Sequence, residues 1–401
     1  MSQRKEARPP MILRRRTKHD DLPDEIVLEI LARLPVKSLL RFRCVCKTWY
    51  SYITNPNFIS THLLCYNNRD GGYVIHVPRI PDPSQICTLA SDRTFETISE
   101  VRIPFTFQSE YPDLVGSCNG ILCFTDFFTS KSKDVYLWNP SIRKFKRLPD
   151  TCLNQTQVHV AHGFGYDSLN NDYKVVRFPW TGFKWIHPPE VEVYSLSSDS
   201  WKSVELGISW RPNVASHKLN YILTFPFVSG HLHWMIEMTE DGGGQEGCYT
   251  PMILSFDVNS EKFKELPAPD EEGCISKFLT SYKEKLAWIK FGDGAQPYSM
   301  LCSMWVMREY GVLDSWNIIC VLPMESYTEF IGVTKYGLLL FQNGSDPVST
   351  NSELERKDKS VLIDPESLHE EEISNQIDYL LDIATYMENL ALLDGANVVS
   401  Y

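Results

Sequence analysis

A helical period governs residues 20–64 of this chain, and an alternation of apolar and polar positions governs most of the remainder. In DLPDEIVLEILARLP, Val27, Ile30, Leu31 and Leu34 fall at i, i+3, i+4 and i+7, which predicts one apolar helix face. Pro23 suits the first helical position, where its missing N–H costs nothing. Asp24 and Glu25 come next in the first turn, where the helix dipole favours acids. Pro35 ends this helix and can open the next, Leu39, Leu40, Phe42, Val45, Trp49 and Ile53 continue the pattern, and Asn55-Pro56 ends it. A unit this short cannot hide so many apolar groups internally, so it needs a partner or a neighbouring domain.

From about residue 65 one theme recurs: an alternating strand, an aromatic, a turn with Asn, Asp or Ser, a second aromatic, and often Leu-Pro. It is clearest in VYLWNPSIRKFKRLP (135–149) and returns in VEVYSLSSDSWKSVEL (191–206) and ILSFDVNSEKFKELP (253–267). SMWVMREYGVLDSWNIICVLP (303–323) is a looser copy and SVLIDPES (360–367) a truncated one. The anchor residues Asn139, Ser195, Asp257, Val306 and Asp364 are 56, 62, 49 and 58 apart. Repeats of this length built from hairpins predict the blades of a propeller, about six when residues 73–103 are counted as the first. A β-sandwich built from similar hairpins is the alternative. In 373–395 the residues Ile377, Leu380, Leu381, Ala384 and Met387 keep helical spacing, yet the same residues can supply a strand that closes onto the first blade; pattern alone leaves both open.

Charge divides the 401 residues unevenly. Residues 1–19 carry seven Lys or Arg against one acid and read as a basic, disordered arm, with Arg14-Arg15-Arg16 and Lys18 either a nuclear signal or a solvated tail. Residues 374–401 are acidic, and the net charge of the chain is −12. An acidic body argues against a nucleic-acid surface and favours a basic or neutral protein partner. No apolar run is long enough to span a membrane, and no signal-like apolar segment opens the sequence. Eleven scattered cysteines then fit a reducing compartment, cytoplasm or nucleus.

Candidate chemistry is sparse. His231-x-His233 puts two imidazoles on one strand face, half of a metal site without a third ligand in view, and it reads as structural. Cys44-x-Cys46, and Cys118 with Cys123, have no second pair and make no zinc framework. GFGYDS (163–168) lacks the Lys-Ser/Thr ending of a phosphate loop. No cofactor, metal or catalytic residue is expected. The informative feature is a surface: Leu22, Pro23, Ile26, Ile30, Leu34, Pro35, Leu39, Leu40, Val45, Cys46 and Trp49 read as a partner-binding face of the helical unit.

Residues 22–63 resemble an F-box, carried by Leu22-Pro23, Leu34-Pro35, Ser38-Leu39-Leu40, Val45-Cys46-Lys47, Trp49 and Pro56-x-Phe58. The remainder is similar to the F-box-associated domain of plant F-box proteins, sometimes labelled kelch-repeat. The marks are Gly116-Ser117-Cys118-Asn119-Gly120, Trp138-Asn139-Pro140-Ser141, Gly163–Asp167 with Asn171–Lys174, Val193–Leu196 with Trp201, and Ala384–Leu390. These repeats lack the Gly-Gly doublet usual in kelch blades. The likeness extends to the S-locus F-box group.

The resemblance implies a mainly β protein with a small N-terminal helical domain. Its parts are an arm (1–19), an F-box (20–64), a β-propeller-like domain (65–373) and an acidic closing strand or helix (374–401). It also implies a non-catalytic substrate-recognition subunit of an SCF-type ubiquitin ligase. The F-box would dock on a Skp-family adaptor and through it a cullin, and the β domain would bind a target protein. Trp180, Phe183, Trp185 and His187, with the loop near Glu240–Tyr249, are the candidate target contacts. The alternative is a propeller protein that binds other proteins or glycans outside a ligase.

Overall fold

A computed structural model describes residues 22–67, 72–78, 85–107, 112–126, 134–151, 159–180, 190–207, 214–219, 225–240, 249–269, 274–294, 300–324, 328–343, 359–373, 381–391 and 399–400. Four helices come first: α1 (Asp24–Ala32), α2 (Val36–Phe42), α3 (Lys47–Ile53) and α4 (Pro56–Asn67). The strands form six separate sheets, which rules out the two-layer sandwich. Blade 1 holds β1 (Tyr73–Pro78), β2 (Ile86–Ser91) and β3 (Thr97–Arg102). Blade 2 holds β4 (Pro112–Cys118), β5 (Ile121–Asp126), β6 (Val135–Asn139) and β7 (Lys144–Arg147). Blade 3 holds β8 (His159–Asp167), β9 (Asp172–Trp180), β10 (Val191–Ser195) and β11 (Ser200–Val204). Blade 4 holds β12 (Val214–Leu219), β13 (Phe227–Val228), β14 (His231–Glu240), β15 (Tyr249–Asp257) and β16 (Lys262–Leu266). Blade 5 holds β17 (Cys274–Tyr282), β18 (Lys285–Asp293), β19 (Met300–Met307) and β20 (Trp316–Met324). Blade 6 holds β21 (Thr328–Val333), β22 (Leu339–Asn343), β23 (Lys359–Ile363) and β24 (Glu370–Ile373). Two strands from the chain end, β25 (Leu381–Tyr386) and β26 (Val399–Ser400), complete blades 1 and 2.

The recurring sequence theme is one turn, built the same way at the outer hairpin of five blades. Ser91, Asn139, Ser195, Asp257 and Asp364 each accept a backbone N–H two or three residues on, at 3.3, 3.0, 3.4, 2.9 and 2.9 Å. Four residues beyond each anchor, Phe95, Arg143, Asp199, Glu261 and Leu368 turn into the left-handed region, φ between 51° and 59°. A short polar side chain supplies the turn's hydrogen bond, so the hairpin folds without a glycine. Val306, aligned as the fourth anchor by spacing, lies instead inside β19 opposite Asn317. The blade 5 turn spans 308–315 and uses Gly311 at φ 81°. That is why this copy reads as loose.

The aromatic and Leu-Pro parts of the theme join one blade to the next. The Trp201 indole donates to the Pro149 carbonyl at 2.7 Å, and Trp316 donates to Pro267 at 3.0 Å. Trp234 donates to the His162 carbonyl at 3.0 Å. A Cβ at Gly163 would lie 2.5 Å from the Trp234 ring, so this position has no room for a side chain. Each junction also carries a polar tie. Ser117 Oγ donates to the Thr385 carbonyl (2.7 Å) between blades 2 and 1, and Lys146 pairs with Asp199 (2.9 Å) between 2 and 3. Buried Lys174 meets Asp167 at 2.6 Å and Glu261 at 2.8 Å, tying blade 3 to blade 4. His233 Nε2 meets the Tyr310 hydroxyl (2.7 Å) between 4 and 5, and the Tyr282 hydroxyl donates to Glu366 (2.9 Å) between 5 and 6. Arg93 Nε donates to the Tyr336 hydroxyl (3.1 Å) between 1 and 6.

Contacts between blades run around a closed ring, β25, β4, β8, β14, β17, β21 and back to β25, each the innermost strand of its sheet except β14, which stands one place out from β12 and β13. Of the two conformations open to the C-terminal segment, residues 381–386 have the strand: β25 runs antiparallel to β1 from Tyr73↔Tyr386 to Pro78↔Leu381, while Ile377 and Leu380 lie outside the described residues. The residues after β25 fasten blade 2. Asn139 Nδ2 donates to the carbonyls of Asn389 (2.9 Å) and Ala391 (2.8 Å), and the Asn389 amide donates to Asn119 O and to the Tyr173 hydroxyl.

Asn139 is fully buried. Asn139→Ala strips two carbonyls and one N–H of their partners and should cost about 2–4 kcal/mol in urea unfolding. Asp364→Ala removes only a half-exposed turn contact and should cost about 1 kcal/mol or less. Burial lowers the pKa of His76 to about 4 and of His162 and His233 to about 3; Arg177 adds to the effect at His162 and His231 at His233. The unfolded chain therefore takes up protons first, and each group sheds about 1.4 kcal/mol per pH unit below about 6.5. Stability should fall on acidification from pH 6.5 toward 4, and His233→Gln should make that slope shallower in a pH series of denaturant melts.

Candidate functional site on the helical unit

The helical unit is held to the propeller by one shared apolar cluster. Leu31, Ala32, Val36, Leu39, Ile53 and Phe58 pack with Val115, Cys123 and Leu137 of blade 2 and with Phe164, Val175 and Tyr194 of blade 3. Helix α2 lies against the 3₁₀ turn at Pro140–Ile142. Its first N–H, from Val36, donates to Glu388 at 3.2 Å, and Ser60 meets Asn171 at 3.3 Å. Buried His62 reaches the Leu34 carbonyl at 2.9 Å, tying α4 to the end of α1.

Each helix start has its own cap. Pro23 is the residue before α1 rather than its first residue, and its carbonyl accepts the N–H groups of Ile26 and Val27 at 3.0 and 3.1 Å. Pro35 does the same for α2, accepting from Ser38 and Leu39 at 2.9 and 3.1 Å. Cys46 Sγ accepts the Trp49 N–H at 3.4 Å at the start of α3. Asn55 Oδ1 accepts from Asn57 N at 2.8 Å, so Asn55-Pro56 opens α4 rather than ending the helical run.

The predicted apolar stripe of α1 is divided between two duties. Leu31 is buried and Val27 and Leu34 pack against the cluster, whereas Ile26 and Ile30, four residues apart, are 42% and 48% exposed. Leu22 and Val45 are about 60% exposed, and Pro23, Pro35 and Cys46 are also exposed. Leu40 and Trp49 are half-buried, Trp49 leaning on Phe42 at 5.2 Å between ring centroids. Leu39 is the exception among the residues assigned to this face. It is completely buried against the propeller and belongs to the core. Tyr50 and Leu64 are exposed as well, and the sequence pattern does not single them out. Tyr50 carries the Arg43 guanidinium 4.9 Å from its ring centroid. Tyr50 adjoins Trp49 in a run of aromatics, and only the helix's orientation separates the outward ring from the half-buried one.

The tight turns 119–120, 140–143, 168–171 and 196–199 lie on the side of the propeller that carries the helices. The strands alternate in direction, so the connections after β5, β9 and β14 leave from the opposite rim. Trp180 ends β9 at that rim. Phe183, Trp185 and His187, and residues 241–248, lie outside the described residues.

His231 and His233 both approach Tyr310, with ring centroids 4.8 and 5.6 Å from it. His233 Nδ1 meets the Pro226 carbonyl at 3.1 Å and Nε2 the Tyr310 hydroxyl, which also contacts Ser255 at 2.7 Å. Both ring nitrogens of His233 are thus engaged, Nδ1 within blade 4 and Nε2 across to blade 5. Among the described residues no group of three or more His, Cys, Asp or Glu is placed to hold a metal ion.

Residues 20–61 match the F-box domain family, and residues 62–367 match the family described as the F-box associated beta propeller domain. The F-box/kelch-repeat protein At3g23880 of Arabidopsis thaliana is 30% identical over 325 residues, 78% of this chain and 81% of that protein. F-box protein At3g07870 is 27% identical over 74% of this chain and 72% of its own length, and F-box protein CPR1 28% identical over 74% and 71%, both from the same plant.

The division of α1 and α2 into core and surface can be checked by stability. Leu39→Ala should cost about 2–5 kcal/mol in denaturant melts, as for a fully buried leucine. Ile30→Ala should change stability by about 0.5 kcal/mol or less. Equal losses would place both side chains in the core.

Proposed function

This chain belongs to the F-box proteins that carry an F-box-associated β-propeller domain, and on that premise we propose that it is a substrate-recognition subunit of an SCF-type ubiquitin ligase. The helical unit docks on a Skp-family adaptor and, through it, a cullin. The propeller binds a target protein and presents it for ubiquitination.

The observation that carries this reading is the exposed apolar side of the helices. Leu22, Pro23, Ile26, Ile30, Val45 and Cys46 stay outside although α1 and α2 have a large apolar core available beside them. Each Leu, Ile or Val covered by a partner contributes about 1.5–3 kcal/mol before the costs of association. The unit is seated on blades 2 and 3 by its other side, so docking needs no rearrangement of the core.

Ubiquitin transfer then needs no acid, base or nucleophile from this chain. Holding the target beside the conjugating enzyme raises the effective concentration of the target's lysines. The rim opposite the helices, where the connections after β9 and β14 depart, is the surface left free for a target once the adaptor is bound. The net charge of −12 favours a basic or neutral target. Nine described cysteines are free thiols, five of them buried, in keeping with the reducing cytoplasm or nucleus.

The test is affinity of the full chain for a purified Skp-family adaptor. Wild type should bind tightly, and Leu22→Ala with Pro23→Ala should weaken binding by about tenfold or more while the circular dichroism is unchanged, because both residues are exposed. A folded wild-type chain that does not bind the adaptor would sink the proposal.

A further inference from the structure

Among the described residues, the four large apolar side chains most open to solvent are Leu169 (79%), Leu64 (65%), Val45 (61%) and Leu22 (60%). Leu22 and Val45 belong to the docking side of the helical unit, and Leu64 lies on α4 of the same unit. Leu169 belongs to the propeller, in the turn between β8 and β9 of blade 3. The corresponding turns of blades 2, 4 and 5 are Asn119-Gly120, Ser229-Gly230 and Lys283-Glu284, none with a large apolar side chain. The exposed leucine thus occurs in the one of these turns that touches α4.

Hydrogen bonds fix this turn in shape and in place. Asp167 accepts the N–H groups of Leu169 (3.1 Å) and Asn170 (3.0 Å) and the side-chain amide of Asn170 (2.8 Å), and Asn171 turns into the left-handed region at φ 51°. Asn171 Oδ1 accepts from the Tyr166 hydroxyl at 2.5 Å and from the Ser60 hydroxyl of α4 at 3.3 Å. Leu64 lies one helical turn beyond Ser60 on the same face, about 6 Å along the axis. Leu64 and Leu169 therefore flank the contact between α4 and blade 3. Cys65, next to Leu64, comes within electrostatic reach of Arg33 of α1. Exposed Arg33 continues the line of Ile26 and Ile30, at i+7 and i+3 from them. Neighbour by neighbour, the strip runs from the exposed side of α1 across α4 to Leu169.

Building on the ligase assignment, we propose that the Skp-family adaptor docked on the helical unit also covers Leu64 and Leu169, and so touches the propeller itself. Continuity with the docking side selects this occupant. Helices α1 and α4 pack as neighbours, about 10 Å apart between axes, and the blade 3 turn meets α4 directly. An interface of ordinary size buries about 800 Å² on each partner and spans roughly 30 Å. A partner seated on Ile26 and Ile30 therefore extends to Leu64 and Leu169. The rim free for a target lies on the other side of the propeller. Covering the two leucines adds apolar burial to the complex. It also gives the adaptor a hold on blade 3, so the orientation of the propeller in the ligase is set by the adaptor as well as by the shared core beneath the helices.

The experiment is calorimetric titration of the full chain with a purified Skp-family adaptor. Leu169→Asp and Leu64→Asp should each weaken binding by about fivefold or more, with unchanged circular dichroism because both side chains are exposed. Ile275→Asp, at a side chain 58% exposed in blade 5, should bind as wild type does. Should Leu169→Asp fail to fold, hydrogen exchange of the wild type decides: the Leu169 and Asn170 amides should exchange more slowly with the adaptor bound. Tight wild-type binding that Leu169→Asp leaves unmoved, or exchange at 168–171 indifferent to the adaptor, would overturn the propeller contact and leave the ligase assignment standing. A loss confined to Leu64→Asp would restrict the adaptor to the helices and overturn it equally. A folded wild type that does not bind the adaptor at all would overturn both.

Discussion

The pairing of β25 with β1 is the contact on which all six blades rely. A single blade has two apolar faces and cannot bury both, so it is stable only between neighbours. Six blades satisfy one another only if the ring closes, and here the closing strand comes from the far end of the chain. Closure by a strand rather than by side-chain contact supplies a row of backbone hydrogen bonds at the seam. It also makes the first and last parts of the propeller fold as one unit, a contact of very long sequence separation.

The same C-terminal segment decides how the helical unit sits. Just beyond β25, Glu388 accepts the first N–H of α2, and Asn389 is held by Asn119 and Tyr173 under the shared apolar cluster. A Cβ at Gly120 would lie against the Met387 carbonyl, so this stretch of chain passes close to the blade 2 turn. Ring closure and helix seating are therefore one event. This coupling fixes the distance between the helical unit and the opposite rim.

Polar groups hold this fold together at the junctions rather than in the blades. Burial works against the charge on Asp167 and Glu261. Asn170 and Lys174 at the first, and Lys174 and Lys202 at the second, more than offset it, leaving both carboxyls below the usual range. A buried pair of this kind adds modest net stability, but it penalises any misplacement of blade 3 against blade 4. The imidazole of His233, kept neutral by burial, plays the same part between blades 4 and 5.

The helical unit, the β-repeat architecture and its count of about six blades are legible in the sequence, because they rest on local periodicity and on turn chemistry repeated at each hairpin. Asn139, Ser195, Asp257 and Asp364 stand out as anchors since each acts on a backbone N–H two or three residues away. The same reasoning misplaces Val306, because spacing carries over a different turn built on Gly311. Which apolar helix residues are surface and which are core depends on packing between distant parts of the chain. Leu39 and Ile30 read alike in the pattern, yet one is buried on blade 2 and the other stands out, since the second surface a helix packs against is not encoded in its own period. Packing at a distance also selects strand over helix for residues 381–386, where the spacing allows both. The unpaired edge of β1, distant in sequence and adjacent in space, supplies the hydrogen bonds that settle it.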